Sequence, residues 1–256
     1  MRAVILAGGL GTRLSEETLI KPKPMVEIGG KPIIWHIMKG YSSHGIKDFI
    51  VCLGYKGYLI KEYFANYFLH MSDVTIDIAS NSFEYHGSPS ECWRITLVET
   101  GDNSLTGERL RRVQHHLKDE TEFCFTYGDG VTDLDITESI KFHRNRGKLV
   151  TLTSVTPKSR YGAISWEGEL IKDFSEKPEN MEGQVNGGFF VVNTKVFSYL
   201  TDANLSWEGS VLPALAKDRE LVGFRHKGFW QSMDTLRDKE YLEALWNSNQ
   251  APWKNW

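Results

Sequence analysis

Met1-Arg-Ala-Val-Ile-Leu-Ala-Gly-Gly-Leu-Gly-Thr-Arg-Leu14 is the stretch that decides the fold. Val4, Ile5 and Leu6 form a short apolar run that stops at Gly8, Gly9 and Gly11, the pattern of a fully buried central strand ending in a turn. A glycine-rich turn after such a strand lets backbone N–H groups crowd round an anion with no Cβ in the way. Arg13 follows, and its planar guanidinium suits bidentate phosphate contacts. The stretch reads as a phosphate cradle at the carboxyl end of a first strand, with an ordinary tight turn as the alternative. Two better-known loops do not fit. A dinucleotide fingerprint starting at Gly9 would need glycine where Leu14 stands, and Gly30-Lys31 runs into Pro32 where a Walker loop needs Ser or Thr.

Working outward, Lys21-Pro22-Lys23-Pro24-Met25-Val26 carries two lysines on a stiff, Pro-spaced segment. Taken alone they read equally as a solvated surface. Pro32 opens a helix through about Ser43, with Ile33, Ile34, Ile37, Met38 and Tyr41 on one face and Gly45 as its stop. Asp48–Leu53 is a second buried strand, and a helix is expected from Tyr58 to about Phe68. Strand, helix, strand, helix is the rhythm of an α/β protein with a doubly wound, mostly parallel sheet, where ligands sit beyond the carboxyl ends of strands. Val74–Ile78 and Trp93–Val98 alternate like strands, and the polar segment 81–91 between them reads as a loop.

Bulk properties narrow the class. With 256 residues, 41% hydrophobic and 25% charged, one globular domain spanning 1–256 with a sizeable core is expected. A net charge of −3 argues against a general nucleic-acid binder, so an anionic substrate would need a local cationic pocket. No apolar run reaches the roughly 20 residues of a membrane span and no signal peptide is apparent. Cys52, Cys92 and Cys124 are odd in number and widely spaced, which suits free thiols in a reducing cytoplasm.

Further along, Thr100–Arg109 is a loop opening a helix at about Thr106. Glu122–Tyr127 is a strand ending in Gly128-Asp129-Gly130, a carboxylate placed either for a turn or for a hydrated cation near phosphates. Asp135 and Glu138 fit a helix cap, and that helix ends at Gly147 before a strand over Leu149–Val155. A hairpin-like region begins at Tyr161-Gly162, followed by Ser175-Glu176-Lys177-Pro178 and Val185-Asn186-Gly187. Asp234 reads as a helix N-cap with Arg237 solvated. The aromatic tail with Trp246, Trp253 and Trp256 suggests the cover of a subunit contact.

Gly8-Gly-Leu-Gly-Thr-Arg-Leu14 followed by Pro22-Lys23-Pro24 resembles the signature of the sugar nucleotidyltransferases, also called nucleotide-sugar pyrophosphorylases. The resemblance implies a Rossmann-like nucleotidyltransferase fold with small β excursions for sugar binding and oligomer contacts. It implies a nucleotide-binding half (1–147), a sugar-phosphate half (148–240) and a tail (241–256). Leu6, Ala7, Gly8, Gly9, Leu10, Gly11, Thr12 and Arg13 would hold the nucleotide with Lys23 and Gly128. Ser104 and Arg109 would lie over base and ribose, although Gly107-Glu108 stands where the family has Gly-Gly. Asp129 and Asp234 would bind Mg²⁺, and Gly162, Glu176, Lys177 and Asn186 would take the sugar phosphate. Arg13, Lys23, Asp129 and Asp234 would carry the catalysis. The stretches Trp35–Lys39, Tyr55–Tyr58, Tyr67–Val74 and Gly228–Lys239 narrow the resemblance to members that join CTP to α-D-glucose 1-phosphate, a step toward bacterial lipopolysaccharide O antigen. Homo-oligomers in the bacterial cytoplasm, with no nucleic-acid or membrane partner, are implied with it. Another base or sugar, a non-catalytic regulatory homologue and a nicotinamide-dependent oxidoreductase stay open; Leu14 speaks against the last.

Overall fold

Ala3, Val4 and Ile5 have no exposure to solvent and Leu6 only 8%, as an all-apolar strand requires when both faces of its sheet are covered. This strand, β1 (Ala3–Leu6), sits inside a seven-stranded sheet. The computed structural model describes residues 1–9, 11, 14–87, 91–157, 163–167, 170–175 and 184–256. In chain order the elements that matter here are α1 (Ile33–Ser43), β2 (Asp48–Leu53), α2 (Gly57–Ala65), β3 (Asp73–Asp77), β4 (Ser82–His86) and β5 (Arg94–Glu99). They continue with α3 (Thr106–Arg112), β6 (Glu122–Tyr127), α4 (Ile136–Arg146), β7 (Val150–Val155), β8 (Val185–Asn193), β9 (Leu221–Arg225) and α5 (Leu236–Asn247).

The sheet order is β9-β7-β8-β6-β1-β2-β5. β1 pairs in parallel with β2 and β6, β2 with β5, and β7 with β9, while β8 runs antiparallel to both β7 and β6. The expected α/β class and mostly parallel sheet are therefore what forms. Because β1 side chains alternate, Ala3 and Ile5 join one core with α1 and α5, and Val4 and Leu6 join a second with Leu110, Phe125 and Trp207.

Three local readings are corrected. The segment 81–91 is not one loop: β4 pairs with β3, setting Tyr85 against Val74 and Phe83 against Ile76 across a turn with Asn81 at φ 51°. Its apolar side chains stay on the surface, so polarity there hides a strand alternation. The helix expected over 58–68 breaks at Asn66 (φ −100°, ψ 21°) into α2 and a short turn Tyr67–Met71. The tail folds inward rather than outward: Trp253 is 1% exposed, stacks on Phe229 and Trp246, and donates from Nε1 to His36 Nδ1 at 3.3 Å. Exposed large apolar side chains include Leu19, Ile20 and Tyr58 and a group on Phe68, Leu69, Ile76, Ile78, Phe83 and Tyr85. Cys52, Cys92 and Cys124 are free thiols, the first and last buried. Among the described residues no helix is long and apolar enough to cross a membrane.

Candidate active site

A cleft of about 740 Å³ opens at the carboxyl ends of β1 and β6, lined by Leu6–Gly9, Gly11, Lys23, Ser104, Arg109, Gly128, Asp129, Asn186 and Asp234. Residues that the sequence scatters over more than two hundred positions thus meet where open α/β sheets bind ligands. Leu10, Thr12, Arg13, Gly162, Glu176 and Lys177, also expected here, lie outside the described residues.

The floor is set by Gly8 and Gly11. Gly8 passes so close to Arg109 that a Cβ would stand 2.1 Å from its Nη1, and Gly11 holds φ +64°, a conformation open to glycine at little cost. Thr18 Oγ1 donates to the carbonyls of Gly11 (3.0 Å) and Leu14 (2.9 Å), closing the loop from below.

Arg109 lines the cleft and is also held by the fold itself. The residue is 4% exposed, and its guanidinium donates to Leu53 O (3.0 Å), Thr100 Oγ1 (2.9 Å), Gly8 O (2.9 Å) and Asp102 O (3.1 Å). It ties the glycine loop to the end of β2 and to the turn after β5, touching the cleft from beneath. Burial lowers its pKa, against the opposing pull of Cys52 and Asp102. Glu108, the departure from the family pattern, also turns inward. At 3% exposure it accepts from Arg111 (2.8 and 2.9 Å), Arg112 (2.7 Å) and the Asn204 N–H (3.3 Å). The Arg111 hydrogen bond, opposed by burial and helped by Arg112 and Asn204, brings its carboxyl down to about 2.

Opposite the loop, Lys23 Nζ stands 2.7 Å from Asp129 Oδ2 and 2.7 Å from Asp234 Oδ1. The Pro-bounded turn Lys23–Met25 delivers the lysine, Asp129 follows β6, and Asp234 precedes α5. Thr235, not Asp234, caps α5: its hydroxyl accepts from the Asp238 N–H while Asp238 accepts from the Thr235 N–H. The N-cap reading of Asp234 is thereby set aside, and its Oδ2 accepts from Ser232 Oγ at 2.8 Å. Burial works to lower the Lys23 pKa, but Asp129 and Asp234 outweigh it and leave the ammonium raised. Sequence reasoning placed Lys23 on phosphate. The structure places it between the two carboxylates.

At the far end, Asn186 Nδ2 donates to Tyr127 Oη (3.2 Å), and Tyr127 Oη donates to Glu208 Oε1 (2.5 Å). Pro24, Leu105, Thr106, Tyr127, Ser206 and Glu208 also line the cleft and escaped the sequence reading. The one local signal for them is Ser206 ahead of Gly209, an N-cap whose hydroxyl accepts from the Gly209 N–H at 2.9 Å. A side cavity of about 190 Å³ adjoins, lined by Tyr127, Asn186, Gly187, Gly188, Trp230 and Asp234.

A glycine loop, a buried guanidinium beneath it, and a lysine flanked by two carboxylates thus meet in one cleft. The chain belongs to the nucleotidyl transferase family, whose sequence profile matches residues 2–245. The glucose-1-phosphate cytidylyltransferases of Salmonella typhi and of Salmonella typhimurium strain LT2 are each 60% identical to it over 256 residues, covering 100% of both chains. Among solved structures, apo UDP-glucose pyrophosphorylase shares the fold with a TM-score of 0.69 at 17% identity, covering 97% of this chain and 98% of that one. Family membership sets aside the nicotinamide-dependent alternative.

Proposed function

We propose that the protein transfers CMP from CTP to α-D-glucose 1-phosphate, releasing pyrophosphate and forming CDP-glucose. One observation carries the reading: identity of 60% along the full length of two proteins named for that activity. The phosphate oxygen of the sugar attacks the α-phosphorus in line, the new P–O bond forms, and the bond to the β-phosphate oxygen breaks with its electrons leaving on pyrophosphate. The nucleophile is already ionised near neutral pH, so no general base is needed. The protein's work is to bring two repelling anions together and to balance the charge that shifts onto the leaving group. In this reading the Gly8–Gly11 loop and Arg13 hold the triphosphate, Ser104 lies beside the nucleoside, and Arg109 fixes the loop from below. Gly128 allows close approach, while Gly162, Glu176, Lys177 and Asn186 take the sugar phosphate. Residues 1–147 thus serve mainly the nucleotide and 148–240 mainly the acceptor.

Asp129 and Asp234 fit Mg²⁺, because their carboxylates already converge on one cationic centre, the Lys23 ammonium. Two carboxylates leave the rest of an octahedron to waters and phosphate oxygens, as Mg²⁺ prefers. When bound, the ion would neutralise charge on the transferring phosphoryl group. The product's use in O-antigen synthesis, a bacterial cytoplasmic setting and a homo-oligomer belong to the same reading. The exposed apolar β3–β4 hairpin supports the oligomer. Light scattering should give a multiple of the 29.2 kDa chain mass, and a monomer would remove that part.

Pyrophosphate release from purified protein with Mg²⁺ and glucose 1-phosphate, with CTP, UTP, dTTP, ATP and GTP in separate reactions, tests the function. Release with CTP alone is expected. Release with another nucleotide would keep the chemistry and discard the base, and silence with all five would discard the sugar.

A further inference from the structure

Among the described residues three carboxylates line the cleft: Asp129, Asp234 and Glu208. The first two share the Lys23 ammonium. Glu208 sits differently. Three hydroxyls donate to it: Tyr127 to Oε1 (2.5 Å), Thr106 to Oε2 (2.6 Å) and Ser206 to Oε2 (3.1 Å). The side chain is exposed and faces a space built for phosphates, which its charge repels. A carboxylate in that place weakens substrate binding unless an uncharged, donor-bearing part of the substrate meets it.

We infer that Glu208 is a specificity-determining residue that accepts a hydrogen bond from a hydroxyl of the sugar phosphate. The inference rests on the proposed function, which supplies a polyhydroxylated acceptor. An ionised carboxylate offers about four lone-pair sites, and the three hydroxyls occupy three of them. The fourth is held still by the donors to the others, so little order is lost when a ligand hydroxyl reaches it. Tyr127 holds Oε1 through its phenol O–H at 2.5 Å. The same Tyr127 oxygen accepts from Asn186 Nδ2 at 3.2 Å. Asn186 and Glu208 thus flank one hydroxyl, and both face the cleft. An amide and a carboxylate set side by side match the alternating hydroxyls of a pyranose better than they match any phosphate.

Thr106 and Ser206 give Glu208 a structural task as well. Thr106 Oγ1 also accepts from the Trp207 N–H at 2.9 Å, so a purely bracing role is the alternative to be separated. Bracing would lower stability and all rates together. Recognition would change the choice among sugars.

The test compares kcat/KM for glucose 1-phosphate and its 2-, 3-, 4- and 6-deoxy forms in the wild-type protein, Glu208→Gln and Glu208→Asp, with CTP saturating. Wild-type turnover of glucose 1-phosphate comes first and checks the proposed function by itself; without it, the proposal falls with that reading. Given turnover, the wild-type protein should prefer glucose 1-phosphate over one deoxy form by roughly 10- to 100-fold, the worth of a hydrogen bond to a charged group. In Glu208→Gln that preference should shrink to a few-fold, with KM for CTP unmoved and the melting temperature retained. An unchanged deoxy profile in Glu208→Gln would overturn the proposal. So would a collapse of CTP over UTP preference with the sugar profile intact, which would assign the carboxylate to the base amine.

Discussion

Replacing Lys23 by methionine should raise the protein's affinity for a divalent cation while lowering its turnover. The ammonium lies 2.7 Å from each of two carboxylates. At an effective dielectric constant near 20, each contact is worth about 6 kcal/mol of Coulomb attraction. The carboxylate side chains of Asp129 and Asp234 are 32% and 24% exposed, so solvent screens part of this, and desolvation of the ammonium cancels more. A cation entering between these oxygens without nucleotide has to displace the lysine. If only a quarter of one contact survives as net competition, removing it tightens metal binding about tenfold. Titration of Mn²⁺ at pH 8, read by the electron paramagnetic resonance of free ion, measures this directly on wild-type and Lys23→Met protein. Turnover should fall on the order of 10²- to 10³-fold, as when a preorganised donor is lost. The two changes run in opposite directions, which a misfolded variant would not reproduce. Equal or weaker Mn²⁺ binding in Lys23→Met, with a native circular dichroism spectrum, would refute the competition.

Arg109→Met should destabilise the protein by about 3 kcal/mol, because three buried oxygens and one part-buried one lose a charged donor worth on the order of 1.5–3 kcal/mol each while the desolvation of the guanidinium is recovered; urea unfolding measures it. Arg109→Lys should recover little, since an ammonium cannot span four oxygens held by a planar fork. His36 is 1% exposed and burial brings its pKa down to about 4. A depressed base is stabilising above its unfolded value near 6.5 and loses that contribution as pH falls toward 4, so unfolding free energy should decline across that window, and His36→Phe should flatten the decline. Glu108, an acid lowered to about 2, contributes stability above its unfolded value of 4.5 and loses it as pH falls through 2; Glu108→Gln should remove that component from an acid titration.

What the sequence discloses depends on how local the cause is. β1 and its glycine stop are legible because an unbroken apolar run ended by glycines has few other uses. α1 is legible because Ile33, Ile34, Ile37, Met38 and Tyr41 repeat at helical spacing behind Pro32. Asp135 reads correctly as a cap, accepting from the Glu138 N–H at 2.9 Å. The edge strand Leu221–Arg225 goes unread because its start is set by Arg219, a non-glycine residue at φ 58°. The convergence of Lys23, Asp129 and Asp234 on one cleft follows from the motif match. That the lysine lies on the carboxylates is a matter of ångströms, which no spacing encodes. Arg109 shows the same limit, since its partners come from Gly8, Leu53, Thr100 and Asp102. Glu208 is further still from local pattern. The Ser206 cap beside it marks a helix start but not its role, and its three hydroxyl donors include two from distant segments.

The inward-folded tail has a consequence for how the protein is made. His36 is engaged at both ring nitrogens: Nε2 donates to Ile28 O at 2.8 Å, and Nδ1 accepts from Trp253 Nε1 at 3.3 Å. The second partner is synthesised 217 residues later, about 10 to 40 s at ordinary elongation rates. For that interval, and until residue 253 clears the ribosomal tunnel, the nascent chain carries α1 with Trp35 and His36 lacking the indoles that cover them. The first half of the polypeptide therefore waits, sticky and unfinished, for Trp246, Trp253 and Trp256, and a chain released near residue 245 would meet a protease or a chaperone before it can close.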